Sequence, residues 1–317
     1  MKPIDVIASC GVEACLLEAG AKKPGNVYPG RGFAGTSYRD FIRGSKAFGP
    51  MLREAARRGF EAGDGSLAVR DIGIGRLVLR AVRAVKKSHS GGNTHLGIAL
   101  LFVPLSAAAG FCVSTGGMPA GLRACFRRFM KGTTVDDAIG VFNAILTANP
   151  GGLGRSRLDV RDKASKARLQ DKGFSLLRLM GYSSRRDRIA GELSAGMPAV
   201  FGFVLPNLDR NLLKTGHSNA IVQTYLQTLA KYPDTLIARK AGRETARDVS
   251  NKAKFVLQAG GIFTPNGRQA IRKLDSCLRS DGNKLNPGTT ADLIAAGLYV
   301  HLLKERINTK QAKRIIL

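Results

Sequence analysis

The sequence predicts an all-α fold, a single large helical domain of about ten or more helices joined by Gly-rich functional loops. Three observations carry this: apolar residues recur at intervals of three and four along most of the chain, strand-type alternation is almost absent, and aromatic residues make up only 6%. The elements follow in order. Ile4, Ala8, Val12, Cys15 and Ala19 mark a helix over residues 4–19, ended by Gly20. Asp40 opens a second helix through Phe41, Met51, Leu52, Ala55 and Ala56, with a bend expected at Gly49-Pro50. Ile74, Leu77, Val78, Ala81, Val82 and Val85 make one clean helical face, while Arg76, Arg80, Arg83 and Lys86 lie on others.

Further helices are expected over 96–110, 134–147, 171–181, 186–202, 219–231, 243–258, 265–279 and 290–304. Thr264 before Pro265 supplies an N-cap and first-turn pair for one of them. Residues 150–170, opening with Pro150-Gly151-Gly152, are the longest irregular stretch. They read as a functional loop, or a sub-domain linker, within one domain spanning 1–317.

The 317 residues include 50 Lys and Arg against 23 Asp and Glu, a formal net charge of +27. That excess suits polyanionic partners, either a polyphosphate substrate or nucleic acid. The basic residues are spread throughout, in pairs such as Arg57-Arg58, Arg127-Arg128 and Arg185-Arg186, with no basic tail. The cysteines (Cys10, Cys15, Cys112, Cys125 and Cys277) are odd in number and form no CxxC pair. This argues against a disulfide framework or zinc site and suits a cytoplasmic location. Leu96 to Leu122 carries no charge and is long enough to span a bilayer, yet holds two prolines and five glycines. The expectation is a buried core helix followed by a loop, with no membrane partner.

Five segments carry candidate chemistry. At Glu18-Ala19-Gly20-Ala21-Lys22-Lys23-Pro24-Gly25 a helix ends in a stiff turn; Glu18 can ligate Mg²⁺ or take a proton, and Lys23 can reach a phosphate. Asp40 reads as a helix cap or a metal ligand. Asn93-Thr94-His95 stands at the mouth of the uncharged helix behind Gly91-Gly92, where backbone can approach a ligand closely. Asp234-Thr235 followed by Arg239-Lys240 offers a carboxylate and two cations. Asn286-Pro287-Gly288 turns into a helix for which Thr289 or Thr290 can serve as N-cap. Free N–H groups there suit a phosphate, and Asp292 lies in the first turn. Asp187, within Arg185-Arg186-Asp187-Arg188, reads as a surface carboxylate, and His217 and His301 as structural. GxxxxGK[ST], HExxH and GxSxG motifs are absent, which disfavours P-loop, zincin and α/β-hydrolase chemistry.

In this order, Glu18 with Lys23-Pro24-Gly25, Asn93-Thr94-His95, Asp234-Thr235 and Asn286-Pro287-Gly288 through Ala291-Asp292-Leu293 resemble the triphosphoribosyl-dephospho-CoA synthase family. Gly260-Gly261, Gly267-Arg268 and Leu274-Asp275 fit it too. The resemblance implies an all-α enzyme that moves the triphosphoribosyl group of ATP to a hydroxyl of 3′-dephospho-CoA and releases adenine. Two positions depart from the bacterial pattern: Leu96 replaces a Lys, and Tyr38 replaces the His of an H-x-D-M type segment that keeps Asp40. Such combinations are closer to archaeal-type, synthase-like relatives.

The resemblance also implies the ligands and the roles. ATP is the substrate and Mg²⁺ the cofactor, with the metal on Glu18, Asp40, Asp234 and Asp292 and the base among Glu18, Asp234 and Asp292. Substrate contacts fall to Lys23, Asn93, Thr94, His95, Arg239, Lys240, Asn286, Thr289 and Thr290. The partners are then nucleotide and small-molecule cofactor substrates. The alternatives are another acceptor such as a pterin, a basic nucleic-acid-binding helical protein, or an inactive scaffold; the oligomeric state is left open.

Overall fold

A computed structural model of the chain describes residues 2–152 and 161–307. Fifteen α-helices occupy the described residues, and the only β-type pairing among them is two isolated bridges, Tyr28 with Arg31 and Phe33 with Thr36. The helices are α1 (Pro3–Gly20), α2 (Tyr38–Gly63), α3 (Ile74–Ser88), α4 (Leu96–Ser114), α5 (Leu122–Lys131), α6 (Val135–Ala148), α7 (Lys163–Asp171) and α8 (Leu176–Ser183). They continue with α9 (Arg188–Ala195), α10 (Leu205–Leu212), α11 (His217–Lys231), α12 (Thr235–Ala241), α13 (Arg243–Gln258), α14 (Pro265–Arg279) and α15 (Gly288–Arg306).

At the centre lies α4, buried along nearly its whole length. Each fully buried Leu, Ile or Phe there contributes roughly 1.5–3 kcal/mol of apolar transfer energy. The helix is long and apolar enough to cross a membrane, and 89% of that stretch is covered by the rest of the fold, as in a core helix. Around it pack α1, α2 and α15. Gly59 and Gly110 let α2 and α4 meet backbone to backbone, since a Cβ at either would overlap a carbonyl of the other helix. Ser106 of α4 donates to Phe102 O (2.8 Å) and shares a 2.7 Å hydrogen bond with Tyr299 of α15; the Tyr299 hydroxyl lies 3.2 Å from Ile7 O of α1. That chain satisfies the polar groups in an otherwise apolar centre. On one flank α3 packs on α6, and α5, α8 and α9 pack around the far end of α4; on the other, α11 through α14 stack beside α15.

Several sequence boundaries change. The second helix runs unbroken through Pro50, from Tyr38 to Gly63. Residues expected as one helix over 186–202 instead form α9, which stops at left-handed Gly196, then a π-turn over Val200–Val204 leading into α10; the two parts meet at 91°. Helix α7 lies inside the stretch expected to be irregular, and Leu153 to Val160 of that stretch lie outside the described residues. No disulfide joins the cysteines, although the Cys112 and Cys125 thiols approach to 2.7 Å.

Candidate active site

Some of the predicted residues gather where the end of α1 faces the starts of α9, α12 and α15. As α1 ends, Lys23 turns back, fully buried, so that its ammonium caps the helix. It donates to Glu18 O and Ala21 O (3.0 Å) and pairs with Glu18 Oε1 at 3.1 Å. Burial pushes Glu18 up and Lys23 down, and each charge offsets the other's desolvation. Lys23 is thus committed to Glu18 and to the α1 carbonyls rather than presented to a phosphate.

Behind the pair, the turn Pro24-Gly25-Asn26 is held on all sides. Gly25 N donates to Asp275 (2.8 Å), Asn26 Nδ2 to Tyr225 (2.9 Å), and Tyr225 in turn to Pro24 O (2.8 Å). Arg279 braces the same turn from α14 through Asp275 and Asn26 O. Asn286 donates to Gly25 O at 2.9 Å, which ties this turn to the Asn286-Pro287-Gly288 turn. Asn286 is therefore a clamp between the two motifs.

Asp234 caps α12, accepting from Leu236 N (2.8 Å) and Ile237 N (3.2 Å) on one oxygen. Its other oxygen accepts from Thr290 N (2.7 Å) and Thr290 Oγ1 (2.8 Å). The carboxylate thereby occupies the anion position at the α15 N-terminus that an external phosphate would need. Burial raises its pKa, and the four donors pull the other way. Neither Thr289 nor Thr290 is the N-cap expected of them: α15 starts one residue earlier, at Gly288, and both hydroxyls point to α12, with Thr289 Oγ1 3.1 Å from Thr235 Oγ1.

Asp187, expected as a salt-bridged surface carboxylate, pairs with Arg239 at 2.6 Å and also caps α9. The signal was its place immediately before an apolar helical run. Lys240 is half-buried, donates to Asn283 O (2.9 Å), and has its pKa lowered by burial. Gly151 and Gly152 lie against Lys240 and Arg239, which brings the Pro150-Gly151-Gly152 turn to the rim. Beside it opens a cavity of about 320 Å³ lined by Arg31, Phe33, Arg279 and Asn283.

Asp292 differs from the other acids. Glu18, Asp187 and Asp234 each have protein partners, whereas the Asp292 carboxylate has no hydrogen bond among the described residues and is only partly covered. It rests on Gly97 of α4, where any Cβ would overlap it. Burial, then the nearby charges of Glu18, Asp234 and Asp187, push its pKa well above the carboxylate range, against a smaller pull from Arg239. A crowd of acids with one free member suits a cation. The described residues hold no group of three or more His, Cys, Asp or Glu placed to make an all-protein metal cage. Mg²⁺ needs no such cage, since it commonly takes one or two carboxylates together with waters and substrate phosphates.

The remaining candidates form a neighbouring corner. Asp40 closes a capping box, accepting from Ser37 N (2.7 Å) and Ser37 Oγ (2.8 Å). Asn93 is exposed and accepts from Leu96 N at 3.1 Å. Both ring nitrogens of buried His95 are engaged, by Thr94 (2.7 Å) and Ser45 (3.0 Å), and burial takes its pKa down to about 3. Neither nitrogen of His95 is left for a phosphate, and Thr94 is spent on the two histidines beside it.

Over residues 4–311 the chain matches the family model for ATP:dephospho-CoA triphosphoribosyl transferase. It belongs to that family. Among curated relatives, the 2-(5''-triphosphoribosyl)-3'-dephosphocoenzyme-A synthase of Klebsiella pneumoniae is 30% identical over 213 residues, covering 66% of this chain and 61% of that protein. A Pseudomonas fluorescens relative carrying the same synthase name in qualified form is 27% identical over 256 residues, 80% of this chain and 75% of its own length. The match thus spans less than two thirds of the Klebsiella protein. A crystal structure described as a candidate triphosphoribosyl-dephospho-CoA synthase from Archaeoglobus fulgidus superposes with a TM-score of 0.59 at 23% identity. It covers 82% of this chain and 97% of its own, and supports the all-α fold of the family.

Proposed function

We propose that this protein transfers the triphosphoribosyl group of ATP to a hydroxyl of 3′-dephospho-CoA, or of a closely related cofactor alcohol, and releases adenine. The observation that carries the reading is the unpartnered Asp292 carboxylate, set among three satisfied acids and beside Arg239 and Lys240. Displacement of adenine at C1′ passes through an oxocarbenium-like centre, which demands anionic surroundings at the sugar and cationic ones at the triphosphate. Asp292 and Glu18 supply the first. Arg239 and Lys240, on the α12 side and half-buried, supply the second, while Lys23 lies against Glu18 from behind.

Mg²⁺ fits Asp292 with Glu18, and when bound it would neutralise the charge on the triphosphate. Asp234 stays in the scaffold, because all its hydrogen-bonding capacity goes to holding α12 on α15. A carboxylate whose pKa is raised is a stronger base, which equips Asp292 to take the proton from the acceptor hydroxyl. Asp292→Ala removes this group without touching a hydrogen bond of the fold. Adenine release from ATP in the presence of 3′-dephospho-CoA should stop while the helical circular dichroism and the melting temperature are kept. Release at the wild-type rate refutes the assignment.

A further inference from the structure

The corner beside the acid cluster contains a buried polar atom with no partner, His89 Nδ1. Its surroundings define its chemistry through a chain of hydrogen bonds. Ser45 Oγ donates its one proton to Phe41 O (2.7 Å), because a carbonyl only accepts. His95 Nε2, 3.0 Å from the same Oγ, must then be the donor to it. Buried, neutral His95 has no second proton, so its Nδ1 accepts from Thr94 Oγ1 at 2.7 Å. Thr94 Oγ1 in turn accepts from His89 Nε2 at 3.1 Å. The relay fixes His89 with hydrogen on Nε2 and a bare lone pair on Nδ1.

His89 Nδ1 lies beside Gly91, across from Asp40. A Cβ at Gly91 would stand 3.2 Å from His89 Nδ1 and 3.0 Å from Asp40 Oδ2, so the two atoms lie no more than about 6 Å apart. Both are acceptors, and neither can satisfy the other without a further proton. Burial and Arg43 keep the imidazole below its usual range, against the pull of Asp40, while Asp40 is held ionised by its Ser37 hydrogen bonds. His89 is nine-tenths buried and Asp40 only partly covered, so the pair is approached from the Asp40 side. The corner adjoins the acid cluster: Gly97, two residues beyond His95, carries Asp292, and Tyr38 lies 3.8 Å from the Cβ position of Gly20 at the end of α1.

We propose that His89 Nδ1 and Asp40 Oδ2 form an acceptor-only subsite that binds a ribose hydroxyl of a nucleotide substrate. This rests on the transferase reading and adds to it a selector for the sugar. A hydroxyl donates one hydrogen bond to the pair, whereas a deoxy sugar offers none. Two nucleotides carry such a group, ATP and the dephospho-CoA acceptor, and the experiment separates them.

The intact chain, labelled with ¹⁵N in the histidine rings, is titrated by NMR with ATP and with 3′-dephospho-CoA in separate arms, each against its 2′-deoxy analogue. The free protein should show His89 protonated at Nε2 and bare at Nδ1. One nucleotide should move the Nδ1 resonance, and its deoxy analogue should not. In equilibrium binding, wild type should prefer that nucleotide over its deoxy form by about 3- to 10-fold in Kd, the value of one neutral hydrogen bond. His89→Ala should lose the preference. A His89 ring protonated at Nδ1, a resonance unmoved in both arms, or a preference surviving in His89→Ala overturns the proposal. Adenine release by wild type, read in parallel, reports on the transferase reading separately: release with a silent His89 sinks the subsite alone, and a responsive His89 without release sinks the reaction alone.

Discussion

Replacing Gly97 with alanine places a methyl group where the Asp292 carboxylate now rests, without deleting any functional atom. The overlap is with the far end of a flexible side chain, so Asp292 turns away rather than the helices parting. An off-rotamer χ angle of this kind costs about 0.5–1.5 kcal/mol. Exchanging Gly for Ala within α4 returns up to about 1 kcal/mol of backbone entropy. The two nearly cancel, and the melting temperature should shift by no more than about 4 °C. Activity should respond far more, because a displacement of about 1 Å in a reacting group costs on the order of 100-fold, or about 2.7 kcal/mol of transition-state stabilisation.

The assay is the rate of adenine release with saturating ATP and acceptor, alongside thermal melting. Gly181→Ala in α8 is the control, since its Cβ would meet nothing within 4 Å and should leave the rate unchanged. In an Asp292→Ala background, Gly97→Ala should cost nothing further, because the two act through one carboxylate. Wild-type kinetics for Gly97→Ala, or full additivity with Asp292→Ala, would refute the placement of Asp292 at the reacting centre.

Two further outcomes follow from the same cluster. Asp292→Asn should stabilise the protein at neutral pH. The folded pKa of Asp292 lies above its unfolded value, so the wild type loses stability as pH rises through the interval between them, and the advantage of the variant should vanish below about pH 4. Thermal melts of both proteins from acid to neutral pH check this, and a pH-independent difference would contradict it. Lys23→Met strands the buried Glu18 charge and should cost about 3–5 kcal/mol in denaturant unfolding; adding Glu18→Gln should recover most of the loss.

Much of the architecture was legible because its signals are local. The apolar spacing of α3 matches its buried face, that of α1 does so at Ala8, Cys15 and Ala19 but not at half-buried Ile4 and Val12, and Thr264-Pro265 starts α14 through a 3.0 Å bond to Gly267 N. Short helices were not legible. Helix α12 is seven residues long and hides behind what reads as an Asp-Thr turn, and α10 follows a π-turn that no periodicity announces. Within the candidate site, the sequence supplied the segments but not who pairs with whom. Lys23 reads as a phosphate ligand until its ammonium is seen on Glu18, and Asp234 as a metal ligand until its four donors are counted. These are contacts across more than fifty residues in the case of Asp234 and Thr290, which spacing cannot encode. Nothing local marks His89, because its hydrogen-bond chain runs through Thr94 and His95 to Ser45 of α2. Tyr38 removes an imidazole from the start of that helix, and His89 stands an imidazole beside the same Asp40 from the next loop.

Mass spectrometry of the products formed from ATP, Mg²⁺ and 3′-dephospho-CoA tests the account most directly. It predicts free adenine and, in equal amount, an acceptor heavier by one triphosphoribosyl group, both missing with Asp292→Ala. Nucleotide products that keep adenine joined to ribose, or adenine release undiminished in that variant, would contradict it.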